Sequence, residues 1–127
     1  MESLKIEATK CTPEVTFNAE NNILDIKGDS YPENIAEFFS SVFTWLEEYL
    51  EQLKNQVFTI NIELNYFNSS SSKLLLDLFE RLDEEVEKFD KNIIVNWIYD
   101  VDHDNIEEYG EEFQEDLKSL TFNLVQK

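Results

Sequence analysis

The sequence predicts a mixed α/β (α+β) fold, a sheet of five to six strands with three helices mainly on one face, in the order βββαβαβαβ. Three observations predict it. Short apolar–polar alternations mark strands at both ends and in the middle of the chain. Three longer stretches repeat apolar residues at three- and four-residue steps, as helices do. Only two glycines and two prolines interrupt 127 residues, so the elements are long and the loops few.

Leu4, Ile6 and Ala8 alternate with Lys5, Glu7 and Thr9, as in a half-buried strand. Val15 and Phe17 continue that pattern after Pro13. Ile23 to Lys27 is a third strand, and Asn21-Asn22 before it reads as a hairpin turn, making the opening a small antiparallel unit. Gly28 ends that strand, Asp29 or Ser30 caps a helix, and Pro32 suits its first turn. Ser30 and Glu33 have capping-box spacing, although Pro32 disfavours helical geometry at Tyr31. Apolar residues from Ile35 to Leu53 then build one amphipathic helix reaching about Lys54.

Phe58, Ile60, Ile62, Leu64 and Tyr66 share one face of the next strand, with Thr59, Asn61, Glu63 and Asn65 on the other. A parallel strand covered on both sides would be apolar on both. The second face is therefore open or covered by a partner. Leu75, Leu78, Phe79, Leu82, Val86 and Phe89 form a second helix, ending near Asp90. Ile93 to Tyr99 is a central strand, and Ile106, Tyr109, Phe113 and Leu117 mark a short third helix. Leu120, Phe122 and Leu124 close with an alternating strand, and the later strands are expected to be parallel with right-handed crossovers.

The chain suits one domain, 1–127, with a single core. Apolar residues make up 42% and aromatics 13%, too many for a disordered acidic tail. Against 28 acidic residues stand 10 basic ones, a net charge of -18. Nucleic-acid phosphate and anionic lipid are repelled, and proteins with basic patches are the expected partners. Acidity for solubility alone is the simpler explanation. Cys11 is the single cysteine and reads as structural, as in a reducing compartment. No apolar stretch approaches the ~20 residues that span a bilayer. A cytoplasmic protein is expected.

The most distinctive stretch is YFNSSSSK, Tyr66 to Lys73, at the C-terminal end of a strand and the start of a helix. Open α/β sheets place functional groups at that edge. A helix N-terminus presents unpaired N–H groups and partial positive charge, which favours phosphate on a first-turn serine. On residue chemistry alone plain capping by Asn68 or Ser69, at about 1 kcal/mol, is the favoured explanation of the run, and a phosphosite is the alternative.

TPEVTF, GDSYPENIAEFF, the W-L-x-x-Y-L of Trp45 to Leu50, YFNSSSSKLLLDLF, VNWIYD and YGEEFQED together resemble the SiaC-type regulatory phosphoproteins, bacterial proteins similar to the STAS-fold antagonists of anti-sigma factors. The resemblance covers nearly the whole chain. It implies a partner switch. A dedicated kinase phosphorylates one hydroxyl of an Asn-Thr-Ser-Ser motif, and a metal-dependent PPM-type phosphatase removes the phosphate. The unmodified form binds and stimulates a diguanylate cyclase, controlling biofilm formation through cyclic di-GMP. The family's acceptor Thr is Ser69 here, with Ser70 its rival. Asn68 fixes the loop, and Ser70 and Ser71 keep their family positions. Tyr31 and Glu33, in the loop before the first helix, are candidate partner contacts, with helix capping as the alternative for Glu33.

Other constellations compete less well. Asp100, Asp102, Asp104 and Glu111 reproduce positions 1, 3, 5 and 12 of an EF-hand loop, but Asn105 replaces its glycine and a strand precedes it. His103, the only histidine, reads as a surface residue without a catalytic partner. The serines lack a nucleophile elbow and there is no P-loop, so a non-enzyme without cofactor or metal is expected. Asp100 to Asp116 carries nine carboxylates and no Lys or Arg. That stretch solvates the third helix, contacts a basic partner or, in the main alternative function, imitates duplex phosphates as a DNA mimic. Trp45 and Trp97 are expected to be core or half-buried.

Overall fold

The computed structural model of the protein describes residues 3–102 and 104–127, apart from the side chain of Asp104. The elements run β1 (Leu4–Ile6), β2 (Glu14–Asn18), β3 (Ile23–Ser30), α1 (Ile35–Gln52), β4 (Val57–Phe67), α2 (Ser69–Phe89), β5 (Asn92–Tyr99), α3 (Asp104–Asp116) and β6 (Thr121–Gln126). The order βββαβαβαβ matches the sequence prediction. One six-stranded sheet carries the strands in chain order, with β1–β2–β3 antiparallel and β3 through β6 parallel.

That sequential order decides where the helices lie. Three crossovers step to the next strand in one direction, and the right-handed rule for parallel connections puts every helix on the same face. Phe58 of β4 meets Tyr49 of α1 with ring centroids 4.5 Å apart. Trp97 of β5, on the same side of the sheet, meets Phe79 of α2 at 6.2 Å and Phe113 of α3 at 5.3 Å. Trp45 and Trp97 are both buried, as expected.

Among the described residues no element covers the opposite face, which is largely polar. Here Asp25, Asn61, Asn96 and Asn123 stand in register across four strands. Asn123 Nδ2 donates to Asn96 Oδ1 at 3.1 Å, Asn96 Nδ2 to Asn61 Oδ1 at 2.9 Å, and Asn61 Nδ2 to Asp25 Oδ1 at 3.0 Å. The ladder ties the parallel strands together with side-chain bonds that an apolar face could not make.

Long-range polar bonds fasten the helix layer. Asn22 takes φ 57° in the β2–β3 turn, and its side chain accepts the Tyr49 hydroxyl at 2.6 Å. Burial pushes that phenol up to about 12. Arg81 of α2 donates twice to Glu47 of α1 and once to the buried Glu85, each at 2.8 Å. Asp83 Oδ1 accepts the N–H groups of Lys118, Ser119 and Leu120, at 3.2, 2.7 and 2.7 Å, and so shapes the α3–β6 connection. Asp83→Ala is expected to cost ~1.5–3 kcal/mol, because three donors lose a charged acceptor. Urea unfolding measures it, and a loss below ~0.5 kcal/mol would show that water replaces the carboxylate.

Several sequence expectations are corrected. β3 does not stop at Gly28 but runs to Ser30, pairing Asp29 with Tyr66 and Ser30 with Phe67. Neither Asp29 nor Ser30 caps α1. Asn34 does, its side chain accepting Glu37 N at 3.1 Å, and Pro32 lies in the preceding loop. Gly28, at φ 130°, makes the extension possible, since side-chain-bearing residues rarely adopt that conformation. Helix α1 ends at Gln52. Phe89, counted in the second helix's apolar stripe, is the last residue of α2 and is exposed.

The register shift at Gly28 has a second consequence. Leu64 pairs with Gly28 and Tyr66 with Asp29, leaving Asn65 as an extra residue on β4. A bulge of this kind inverts the alternation beyond it. Phe67 therefore turns into the core and Tyr66, expected there, is 55% exposed.

Candidate functional site

The bulge, the end of β3 and the start of α2 meet at the C-terminal edge of the sheet. Asn68 is the N-cap of α2, its Oδ1 accepting Ser71 N at 2.9 Å. Of the two capping candidates, Asn68 takes the role and Ser69 becomes the first helical residue. Ser69 and Ser70 are exposed.

Ser71 faces inward. Fully buried, its hydroxyl donates to the Ser30 carbonyl at 2.8 Å and lies 2.8 Å from Ser30 Oγ. Asn68 N also donates to the Ser30 carbonyl, at 3.1 Å. These bonds lock the serine turn to the end of β3 and leave the first two serines projecting. Ser30, read from sequence as a cap, is half of this buried hydroxyl pair.

Local charge at the turn runs against that of the whole chain. Among 28 acidic residues, none lies in the first turn of α2, whereas α1 has Glu37 there. The positive end of the α2 dipole is therefore not offset within its own helix. An anion attached to Ser69 or Ser70 would meet N–H groups and Lys73 on the same helix.

Tyr31 and Glu33 belong to the same edge. Tyr31 N donates to Cys11 O at 2.8 Å, and its ring meets Tyr66 edge-on at 5.6 Å. Glu33 is exposed, and the side-chain cap of α1 comes from Asn34 instead. Cys11 is half-buried with its sulfur 3.8 Å from Thr9 Oγ1. Beside Tyr66, Phe67 contacts Tyr109 of α3 at 4.9 Å. Tyr109, one of the residues that mark the third helix in the sequence, is 39% exposed and borders a cleft with Tyr66. The sequence reading missed this cleft because one bulge residue decides which way Tyr66 points.

Helix α3 reaches this position because Gly110 seats against Trp97. A Cβ on Gly110 would lie 2.7 Å from Leu124 Cδ2 and from Trp97 Nε1, and would also collide with Trp97 Cδ1. The indole N–H is itself fixed, donating to Ile106 O at 2.7 Å. Gly110→Ala is expected to cost ~1–3 kcal/mol by overpacking. Wild-type stability in denaturant titration would mean that α3 slides to accept the methyl group.

The acidic loop from Asp100 to Glu111 sits in a setting unlike that of an EF-hand. The preceding element is β5, where an EF-hand has a helix. Asp100 Oδ1 accepts Asp102 N at 2.9 Å, as a turn does. The described residues hold no group of three or more potential metal-ligating side chains. His103, together with the side chain of Asp104, lies outside the described residues. On α3, Glu107 engages the Tyr99 hydroxyl, which raises the pKa of that phenol, while Glu108, Glu111, Glu112, Glu115 and Asp116 are exposed. Glu80 and Asp116 share a hydrogen bond between carboxyl groups, and this, with burial and neighbouring acids, raises the Glu80 pKa.

Comparison with known proteins matches this arrangement as a whole. Residues 6–127 fit the profile described as SiaC family regulatory phosphoprotein. An uncharacterised protein of Pseudomonas aeruginosa (strain UCBPP-PA14) is 34% identical over 116 residues, 91% of this chain and 90% of that relative. Apo-SiaC from Pseudomonas aeruginosa superposes with a TM-score of 0.82 at 31% identity, over 100% of this chain and 99% of the other. A chain in the crystal structure of the diguanylate cyclase SiaD in complex with its activator SiaC, from the same organism, gives 0.88 at 32% identity, over 98% and 99%. With the serine turn, the capping asparagine and the one-sided sheet all inside the matched span, this chain belongs to the SiaC family of regulatory phosphoproteins.

Proposed function

We propose that this protein is a single-domain, non-enzymatic partner switch of the cytoplasm. Its unphosphorylated form binds and stimulates a diguanylate cyclase, and phosphorylation at Ser69, with Ser70 as the rival acceptor, ends the association. A cognate serine kinase adds the phosphate and a PPM-type phosphatase removes it. The cyclase partner follows from the likeness to a SiaC that is an activator of SiaD in Pseudomonas aeruginosa.

One observation carries the reading. Two exposed hydroxyls stand on the first turn of α2, held out by the buried Ser30–Ser71 pair and bordered by exposed tyrosines. Asn68 organises the turn, and Ser71 is a positioning residue rather than an acceptor, since its hydroxyl is sealed and already bonded. Tyr31 and Glu33 extend the same surface. Phosphate adds about -1.5 to -2 charge at neutral pH. Packed against a partner, that charge has to be desolvated or meets like charge, which costs several kcal/mol.

The direct test phosphorylates the protein with its kinase, maps the modified residue by mass spectrometry, and titrates both forms against the cyclase. The expected result is one phosphate on Ser69 or Ser70 and stimulation by the unmodified form alone. Equal stimulation by both forms overturns the switch, and phosphate only elsewhere overturns the site.

A further inference from the structure

The β4 bulge and α3 together border an open cleft of about 420 Å³ beside the serine turn. Tyr66, Phe67, Ile106 and Tyr109 supply its apolar walls, and Asp102 and Asn105 its polar lip. Glu108 and Glu112 border a second hollow that shares Asn105 and Tyr109. We propose that this cleft is an interaction site for a cationic side chain, an arginine carried on an otherwise apolar segment of a partner protein.

Charge complementarity selects the occupant. From Asn92 to Leu117 the chain has nine carboxylates and no Lys or Arg. A purely apolar segment would strip water from Asp102 and its acidic neighbours without giving them a partner. An anionic segment would be repelled. A guanidinium satisfies both kinds of wall, stacking on a tyrosine face while its N–H groups reach a carboxylate. Its methylene stem and apolar neighbours would cover Tyr66, Tyr109 and Val101, which are 55%, 39% and 58% exposed. Buried aromatic and arginine pairs of this kind dominate the energetics of many interfaces.

The site adjoins the switch, because Phe67 forms a wall of the cleft and Ser69 follows two residues later. A phosphate on Ser69 would stand at the margin of the same contact, where the cost of desolvating it opposes seating of the partner segment. The proposal rests on the partner-switch reading only for the identity of the protein that supplies the arginine.

Two arms test it. In the first, the ¹⁵N-labelled protein is titrated with acetyl-Leu-Arg-Leu-amide and separately with acetyl-Leu-Gln-Leu-amide. The expected result is saturable shifts at residues 65–67 and 105–110 with the arginine peptide, about 3- to 30-fold weaker with glutamine. Those shifts should weaken in Asp102→Asn and in Tyr109→Ala, with circular dichroism confirming the fold. Equal response to both peptides, shifts spread over the whole acidic surface, or none at these residues overturns the cleft.

In the second arm, Tyr66→Ala and Tyr109→Ala are titrated against the cyclase beside Ser69→Asp. Each tyrosine variant is expected to lose about 3- to 30-fold in affinity. If Ser69→Asp loses binding while both tyrosine variants bind like wild type, the cleft proposal falls and the switch stands. If the wild-type protein does not bind the cyclase, the switch reading falls and the peptide arm alone decides the cleft.

Discussion

Ser69→Asp is expected to weaken cyclase binding by about 5- to 150-fold, the span of ordinary regulatory coupling. Ser69→Ala should stay within about twofold of wild type. The contrast is informative because the aspartate does not threaten the fold. A carboxylate at the first helical position of α2 is favoured by the helix dipole, by ~0.3–1 kcal/mol, and no acidic neighbour within that turn opposes it. Thermal stability should therefore hold or rise while binding falls. Ser70→Asp and Ser70→Ala form the matching pair, and the residue with the larger Asp-to-Ala contrast is the acceptor. Calorimetric titration giving all four variants the same affinity would remove both serines from the interface.

Trp97→Ala is expected to cost ~3–5 kcal/mol, the usual range for deleting a large buried aromatic. Trp97 is 1% exposed and meets Phe67, Phe79, Phe113 and Phe122 with centroids 5.3 to 6.4 Å apart. Its loss opens a cavity where β4, β5, α2, α3 and β6 converge, and removes the indole N–H that donates to the Ile106 carbonyl. The effect should reach the functional edge as well, because Phe67 and Gly110 both lean on this ring. A loss under ~1.5 kcal/mol in guanidinium titration would mean that the surrounding phenylalanines close the gap.

The two outcomes test different layers of the molecule. Ser69 acts through charge at a surface, and its aspartate variant should unfold no more easily than wild type. Trp97 acts through packing and should reduce binding only as far as it loosens β4 and α3. A Ser69→Asp variant that unfolds more easily would move that residue from the switch to the scaffold.

Much of the architecture was legible in the residues. Periodicity located every element, since alternation in Phe58 to Leu64 and three- and four-residue steps in Leu75 to Leu82 each report a local geometry. The polar second face of β4 announced a sheet covered on one side. Asn68 followed by serines announced a helix start. Less legible were the details that depend on pairing between distant segments. Ser30 looked like a cap because its neighbours resemble one, yet its strand partner Phe67 lies 37 positions away and holds it extended. Tyr66 looked like a core residue because alternation was carried one step too far.

By itself the sequence determined the order of elements, the one-sided helix layer, the acidic surface and the place of the serine run at a strand-to-helix junction. All of these follow from local periodicity, composition and the handedness of crossovers. Only the tertiary structure decided which serines project and which is sealed, that Tyr66 faces solvent, and that α3 brings Tyr109 beside it. Those outcomes depend on register: a single extra residue on β4 inverts the side chains beyond it, and no window of sequence contains both strands of the pair.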